Sequence, residues 1–200
     1  FRLSDPTDYP TWYGFEHLAP SLLGEAVYGL PELRREEIAA ARLVAVPGCY
    51  PTSAILGFSP LLARGLVDPE TIVIDSISGV SGAGRKPELP THFSEANESL
   101  KAYGVGKHRH TPEIEQELSI VAGRPVTVTF TPHLAPLTRG ILTTITARLA
   151  GPRSTAELLG VYREFYRGRS FVRVLEEGRL PETKHVLHSN LCDVGLVSDA

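Results

Sequence analysis

The chain is 200 residues long, enough for one domain with a sizeable core, or for one domain and part of another. Hydrophobic residues make up 42% and charged residues 22%, the balance of an ordinary globular protein. A net charge of −3 and a pI near 6.2 give no electrostatic reason to expect nucleic acid or an anionic membrane as partner. No apolar run approaches the roughly 18 residues of a membrane span. The two cysteines, Cys49 and Cys192, do not make a disulfide scaffold, so a reduced, cytoplasmic setting is expected, with a single bridge between them left open. There is no methionine and no signal peptide, and the chain opens abruptly at Phe1-Arg2-Leu3; it is expected to be a piece of a longer protein.

In chain order, residues 1–30 are rich in aromatic residues, Gly and Pro and read as an irregular connecting segment. Residues 31–41 predict a short charged helix or turn. Leu43-Val44-Ala45-Val46, stopped by Pro47-Gly48, predicts a short buried strand. Residues 52–64 predict an apolar helix, with Thr52 or Ser53 as N-cap and Gly65 as stop. The β-branched run 71–78 predicts a strand and leads into a Gly/Ser-rich loop over 79–86. Thr111 as N-cap and Pro112 at the first helical position predict a helix to about 121. Strands are predicted at 126–130 and 140–149. Ser154 and Glu157 make a capping box for a helix to about 166, and short strands close the chain at 171–175, 184–187 and 191–197. No repeat or low-complexity tract interrupts this order. Long strands with few helices predict an α+β fold, a twisted sheet with helices packed on one side.

Three segments carry residues suited to chemistry. In Val46-Pro47-Gly48-Cys49-Tyr50-Pro51-Thr52 a strand ends, a tight turn follows, and a cysteine sits at a helix entrance. Unpaired N–H groups and the positive end of the helix dipole favour thiolate over thiol there. A nucleophile and a small buried residue at a turn are both compatible with this stretch. In Tyr103-Gly104-Val105-Gly106-Lys107-His108-Arg109-His110-Thr111-Pro112-Glu113, two histidines flank an arginine just before a helix. That suits acid/base work and anion binding, or equally a solvated basic loop. No third ligand stands at a metal-site spacing. In Ser78-Gly79-Val80-Ser81-Gly82-Ala83-Gly84-Arg85, backbone N–H groups could cradle an anion, or the segment is a flexible turn. It is no dinucleotide fingerprint: G-x-G-x-x-G is absent and no βαβ unit is expected after it. Cys192 reads as a packed strand residue and Asp75 as a strand-end turn former. His92, Glu95 and Asn97 read as a polar loop that lines a pocket or faces water.

Taken together, these stretches resemble the N-acetyl-γ-glutamyl-phosphate reductases of arginine biosynthesis. The resemblance also takes in Phe1-Arg2-Leu3, Tyr28-Gly29-Leu30-Pro31-Glu32-Leu33 and Ser189-Asn190, in the family's order along nearly the whole chain. It implies a two-domain NADP enzyme: a Rossmann domain, then a glyceraldehyde-3-phosphate-dehydrogenase-like catalytic domain with a mixed or antiparallel sheet and helices on one face. Residues 1–45 would be the tail of the NADP-binding domain and a connecting segment, and 46–200 the catalytic domain. The Rossmann part and the C-terminal helix are expected to be absent.

The resemblance further implies Cys49 as nucleophile and His110 as its acid/base partner. Arg2 would bind phosphate, and Ser78, Tyr103 and His108 would line the substrate site. Arg109 is a candidate for the substrate carboxylate on charge grounds, and Gly79, Ser81 and Gly82 are candidates for cofactor contact. A homo-oligomer, dimer or tetramer, is implied. Rival readings are the carrier-linked aminoadipyl-phosphate reductase of lysine biosynthesis, a non-catalytic interaction domain, and a cysteine hydrolase, for which no orienting Asn or Asp is found. Aspartate-semialdehyde dehydrogenase shares the chemistry, but the His-Arg-His run does not suit it.

Overall fold

The computed structural model describes residues 1–199. The first thirty residues are more ordered than their composition suggests. Helix α1 (Asp8–Tyr13) brings Tyr9 onto Leu3 and Leu23, with Trp12 and Tyr13 at the edge of this small apolar cluster. Strand β1 (Val27–Tyr28), helix α2 (Pro31–Ala40) and strand β2 (Val44–Ala45) follow, and β1 and β2 pair in parallel. They form a separate two-stranded sheet. The predicted burial of β2 holds for Ala45 alone. Val44 and Val46, two apart and so on the same face of the strand, are 38% and 67% exposed: that face is left largely uncovered.

Helix α3 (Cys49–Ala63) is apolar on every side, the pattern of a helix sunk in a core. It begins three residues before the predicted start, so Cys49 is its first residue and Gly48 its N-cap. Pro60 lies inside it and has no N–H to offer Leu56. The Leu56 carbonyl instead accepts the Tyr166 hydroxyl at 2.5 Å, and the Gly57 carbonyl accepts that of Tyr162 at 2.6 Å. The helix ends at a left-handed Gly65 (φ +61°), as predicted.

Strand β3 (Ile72–Ser78) alternates buried and exposed residues. The short helix α4 (Phe93–Ala96) and strand β4 (Lys101–Ala102) lead to helix α5 (Thr111–Ala122) and strand β5 (Val128–Leu134). Strand β6 (Ile141–Thr146) completes a four-stranded sheet in the order β4-β5-β3-β6. β3 and β5 are parallel, and the other two pairings are antiparallel, so the sheet is mixed. The chain between β3 and β5 therefore is a crossover through α5, which overturns the expectation that no βαβ unit follows the Gly/Ser loop. The long insert at 79–110 hides the unit from a local reading.

Ile72, Ile74, Val128 and Phe130 pack against Ala54, Ile55, Phe58, Ile114 and Leu118, so α3 and α5 lie on one face of the sheet as predicted. Val73, Asp75, Thr129, Thr144 and Thr146 lie exposed on the other. Asp75 is thus a mid-strand residue and not a strand-end turn former. Helix α6 (Thr155–Phe165) opens with the predicted capping box, Ser154 accepting from Glu157 N–H and Glu157 from Ser154 N–H. Strands β7 (Val172–Val174) and β8 (Cys192–Val194) pair in parallel and place Cys192 as expected. The strand predicted at 184–187 is instead a short 3₁₀ turn, Thr183–His185. No helix among the described residues is long and apolar enough to cross a membrane.

Candidate active site

Cys49 opens α3 and is exposed. Gly48 just before it is extended (φ −67°, ψ 156°), and the Gly48 carbonyl accepts from the backbone N–H and the hydroxyl of Thr52. The N–H groups of Cys49 and Tyr50 have no acceptor among the described residues. They are unpaired donors at the positive end of a helix, beside the cysteine that opens it.

His110 is the N-cap residue of α5, one position ahead of the predicted N-cap Thr111. Its ring is 6% exposed and lies against Gly48 so closely that a Cβ there would sit 2.5 Å from His110 Nε2. Gly48 is thus required by space and not by its backbone angles. The contact sets the imidazole beside the start of the Cys49 helix, although 60 residues separate the two in sequence. His110 Nδ1 is buried without a partner. Burial, with help from His108, Arg2 and Arg109, pushes the imidazole down to about 3, so it is neutral at pH 7. His108 accepts from the His110 N–H at 3.2 Å and is pushed down to about 4, mainly by burial and then by Arg109.

Around these two rings stand Tyr50, Tyr103 and Phe130, all edge to face with His108. The Tyr50 and Tyr103 hydroxyls share a hydrogen bond of 2.9 Å, and burial raises both phenols, which keeps them protonated. The predicted site residues Cys49, His108, His110 and Tyr103 therefore converge through Tyr50 and Gly48.

On the other side of Cys49 runs a cavity of about 1370 Å³ lined by Ser78, Gly79, Ser81 and Gly82. The Ser78 hydroxyl donates to its neighbour Gly79 O, and the N–H groups of Gly79, Val80, Ser81 and Gly82 bond to Gly140, Leu137, Thr138 and Gly79 carbonyls. These amides are taken and offer no cradle for a dinucleotide's phosphates. Arg109 is exposed and does not line the cavity. Arg2 donates through Nε to the Val46 carbonyl at 2.8 Å, which pins it just upstream of the cysteine turn. His92, Glu95 and Asn97 face water.

The sequence reading missed Glu113, which is fully buried three residues after His110 on the same helix. Its Oε1 accepts from Gly48 N–H at 2.7 Å and from the Tyr28 hydroxyl at 2.9 Å. Its Oε2 has no hydrogen bond, and Arg2 Nη1 stands 3.7 Å away. Burial raises the carboxyl, opposed by Gly48, Tyr28 and Arg2. The i, i+3 spacing puts Glu113 on the His110 face of α5, which was the available signal. Glu113→Ala would strand the buried Gly48 N–H and Tyr28 hydroxyl, and we expect it to cost about 2–4 kcal/mol of stability in urea unfolding. A loss near zero would mean that water replaces the carboxylate.

A buried histidine is thus held against the glycine that precedes a helix-start cysteine, on a mixed sheet with helices on one face. The chain belongs to the family described as semialdehyde dehydrogenase, dimerisation domain, whose model matches residues 49–200. It is 59% identical over its whole length to the N-acetyl-gamma-glutamyl-phosphate reductase of Geobacter metallireducens, of which it covers 58%. It is equally similar, at 59%, to the enzyme of that name from Pelotomaculum thermopropionicum, of which it covers 57%. The chain thus spans somewhat over half the length of these relatives. Among solved structures it shares the fold of aspartate semialdehyde dehydrogenase II from Vibrio cholerae, with a TM-score of 0.65 at 16% identity over 86% of this chain and 58% of that one. An aspartate semialdehyde dehydrogenase with NADP from Candida albicans is similar at a TM-score of 0.52 and 12% identity, over 77% of this chain and 48% of that one.

Proposed function

We propose that this chain is the thiol-bearing part of an enzyme that reduces N-acetyl-γ-glutamyl phosphate to N-acetylglutamate semialdehyde with release of phosphate, in arginine biosynthesis. The observation that carries the reading is the Cys49 helix start with His110 packed on Gly48, in a chain 59% identical to reductases of that name. The Cys49 thiolate attacks the acyl carbon, the bond to the phosphate oxygen breaks, and a thioester remains. The oxyanion formed on the way is held by the free N–H groups at the start of α3. NADPH, when bound, supplies the hydride that brings the thioester to the aldehyde level. His110 takes the proton of the Cys49 thiol as the attack begins, gives it to the carbonyl oxygen as the hydride arrives, and takes it back as the carbon–sulfur bond breaks and the aldehyde leaves. Arg2, anchored on Val46, faces the departing phosphate, and Ser78, Tyr103 and His108 shape the substrate pocket.

On the same reading, residues 1–45 are the last part of a nucleotide-binding domain. The support is the separate β1-α2-β2 unit, with its own parallel pairing. The phosphates of NADP are held outside this chain, and Gly79, Ser81 and Gly82 contact the cofactor only at its reactive ring. The uncovered face of the four-stranded sheet suits a second copy, giving a homo-oligomer built on dimers; the family description points the same way. Two free thiols fit a reducing compartment, the cytoplasm.

The test is the reverse reaction of the full-length protein that carries this chain, with the semialdehyde, phosphate and NADP⁺. Formation of NADPH that depends on phosphate supports the proposal, and its absence removes it. Iodoacetamide at pH 8 should label exposed Cys49 and spare Cys192, whose thiol burial pushes up to about 11. Labelling of Cys192 as fast as Cys49 would remove the distinction between a reactive and a packed cysteine.

A further inference from the structure

A substrate of this class carries a carboxylate as well as an acyl phosphate, and Arg109, proposed for the carboxylate on charge alone, does not line the cavity that opens at Cys49. Among the described residues, Arg139 is the single Arg or Lys that lines the cavity with Cys49. Its side chain is exposed and has no ion pair or hydrogen bond among the described residues. Of the acids that line the same cavity, Glu182 and Asp193 pair with Lys184 and Arg173, and neither Glu32 nor Asp199 forms an ion pair with Arg139. The backbone under Arg139 is held firmly. Val80 N–H bonds to Leu137 O at 2.8 Å, Ser81 N–H to Thr138 O at 3.1 Å and Gly79 N–H to Gly140 O at 3.0 Å. The two loops press together so closely that a Cβ on Gly79 would lie 2.8 Å from Arg139 N. Gly140 then turns the chain into β6 with φ +112°, a value that favours glycine. An unpaired guanidinium on a fixed base beside a nucleophile's cavity is an anion site in waiting.

Resting on the function proposed above, we propose that Arg139 binds the carboxylate of the N-acylated acidic amino-acid substrate and so sets which acyl phosphates Cys49 attacks. A carboxylate fits better than a phosphate. One guanidinium can hold a carboxylate bidentately, whereas a phosphate site gathers several donors, and the neighbouring loop amides are already bonded.

Two alkylating reagents read this directly in the full-length protein that carries this chain. Iodoacetate carries a carboxylate and iodoacetamide does not, so the ratio of their rates at Cys49 reports the anion subsite whatever the thiol's absolute reactivity. Arg139→Gln should lower that ratio by about threefold, the size of a partly solvated charge interaction. Arg139→Lys should restore part of it. N-Acetylglutamate should protect Cys49 in the wild type and fail to protect Arg139→Gln, while protection by inorganic phosphate and by NADP⁺ stays unchanged. In turnover, Arg139→Gln should raise KM for the acyl phosphate by about tenfold or more with a smaller effect on kcat, as for loss of one charged hydrogen bond.

An unchanged reagent ratio overturns the proposal. So does a loss of phosphate or NADP⁺ protection in place of N-acetylglutamate protection, which would assign Arg139 to those anions. Should Arg139→Gln fail to fold, the Lys variant and N-acetylglutamate protection of the wild type decide, the proposal falling if the ligand gives none. Slow iodoacetamide labelling with a normal ratio would instead count against Cys49 as the activated nucleophile.

Discussion

Cys49→Ser is expected to abolish turnover in the full-length protein, by more than about 10³-fold, and to leave the fold unchanged. The hydroxyl is a far weaker nucleophile than a thiolate at neutral pH, and an ester in place of the thioester is a poorer hydride acceptor. Stability should hardly move, because Cys49 is exposed at the first turn of α3 and fills no cavity. Circular dichroism and urea midpoint should match the wild type while the assay reads zero. Near-normal turnover in the serine variant would refute the thioester scheme outright.

His110→Asn should slow the chemical step by about 10²–10⁴-fold, the usual span for one acid/base group. A loss under tenfold would move the role to His108, whose ring stands 4.8 Å away. The pH dependence supplies a second check. Folding holds His110 down at about 3 and His108 at about 4, against an ordinary 6.5. Between those values the unfolded chain binds more protons than the folded one. The stability that these buried neutral rings contribute is therefore present above about pH 6.5 and is lost as pH falls toward 4. His110→Asn should flatten the unfolding midpoint against pH over that window. In the free enzyme His110 stays unprotonated from pH 5 to 8, so an acid limb of kcat/KM in that range must come from another group.

How far the site was legible depends on the reach of each signal. Pro47-Gly48 before Cys49, and the Thr111-Pro112 start after His110, are local devices, and both placed these two residues beside helix starts, where the structure has them. Both starts were misplaced by one to three residues, because the cap of α3 is a bare glycine and that of α5 is the histidine itself. Neither uses a side-chain cap, so there was no capping residue to read. The strand predicted at 184–187 failed because an apolar residue beside a histidine says little when only a short turn is needed.

The sequence by itself determined the elements with strong local codes. These are the apolar helix after Cys49, the β-branched run of β3, the Ser154–Glu157 capping box and the α+β class. The tertiary structure alone decided what lies against what. The closeness of His110 to Gly48, the buried Glu113 that binds both the Gly48 amide and Tyr28, and the parallel pairing of β3 with β5 all join residues dozens of positions apart. Such contacts depend on how α3 and α5 share one face of the sheet, and no periodicity along the chain encodes that packing. The same reason separates the two arginines: Arg109 and Arg139 are alike as loop cations in the sequence, and only the fold turns Arg139 toward the cysteine's cavity.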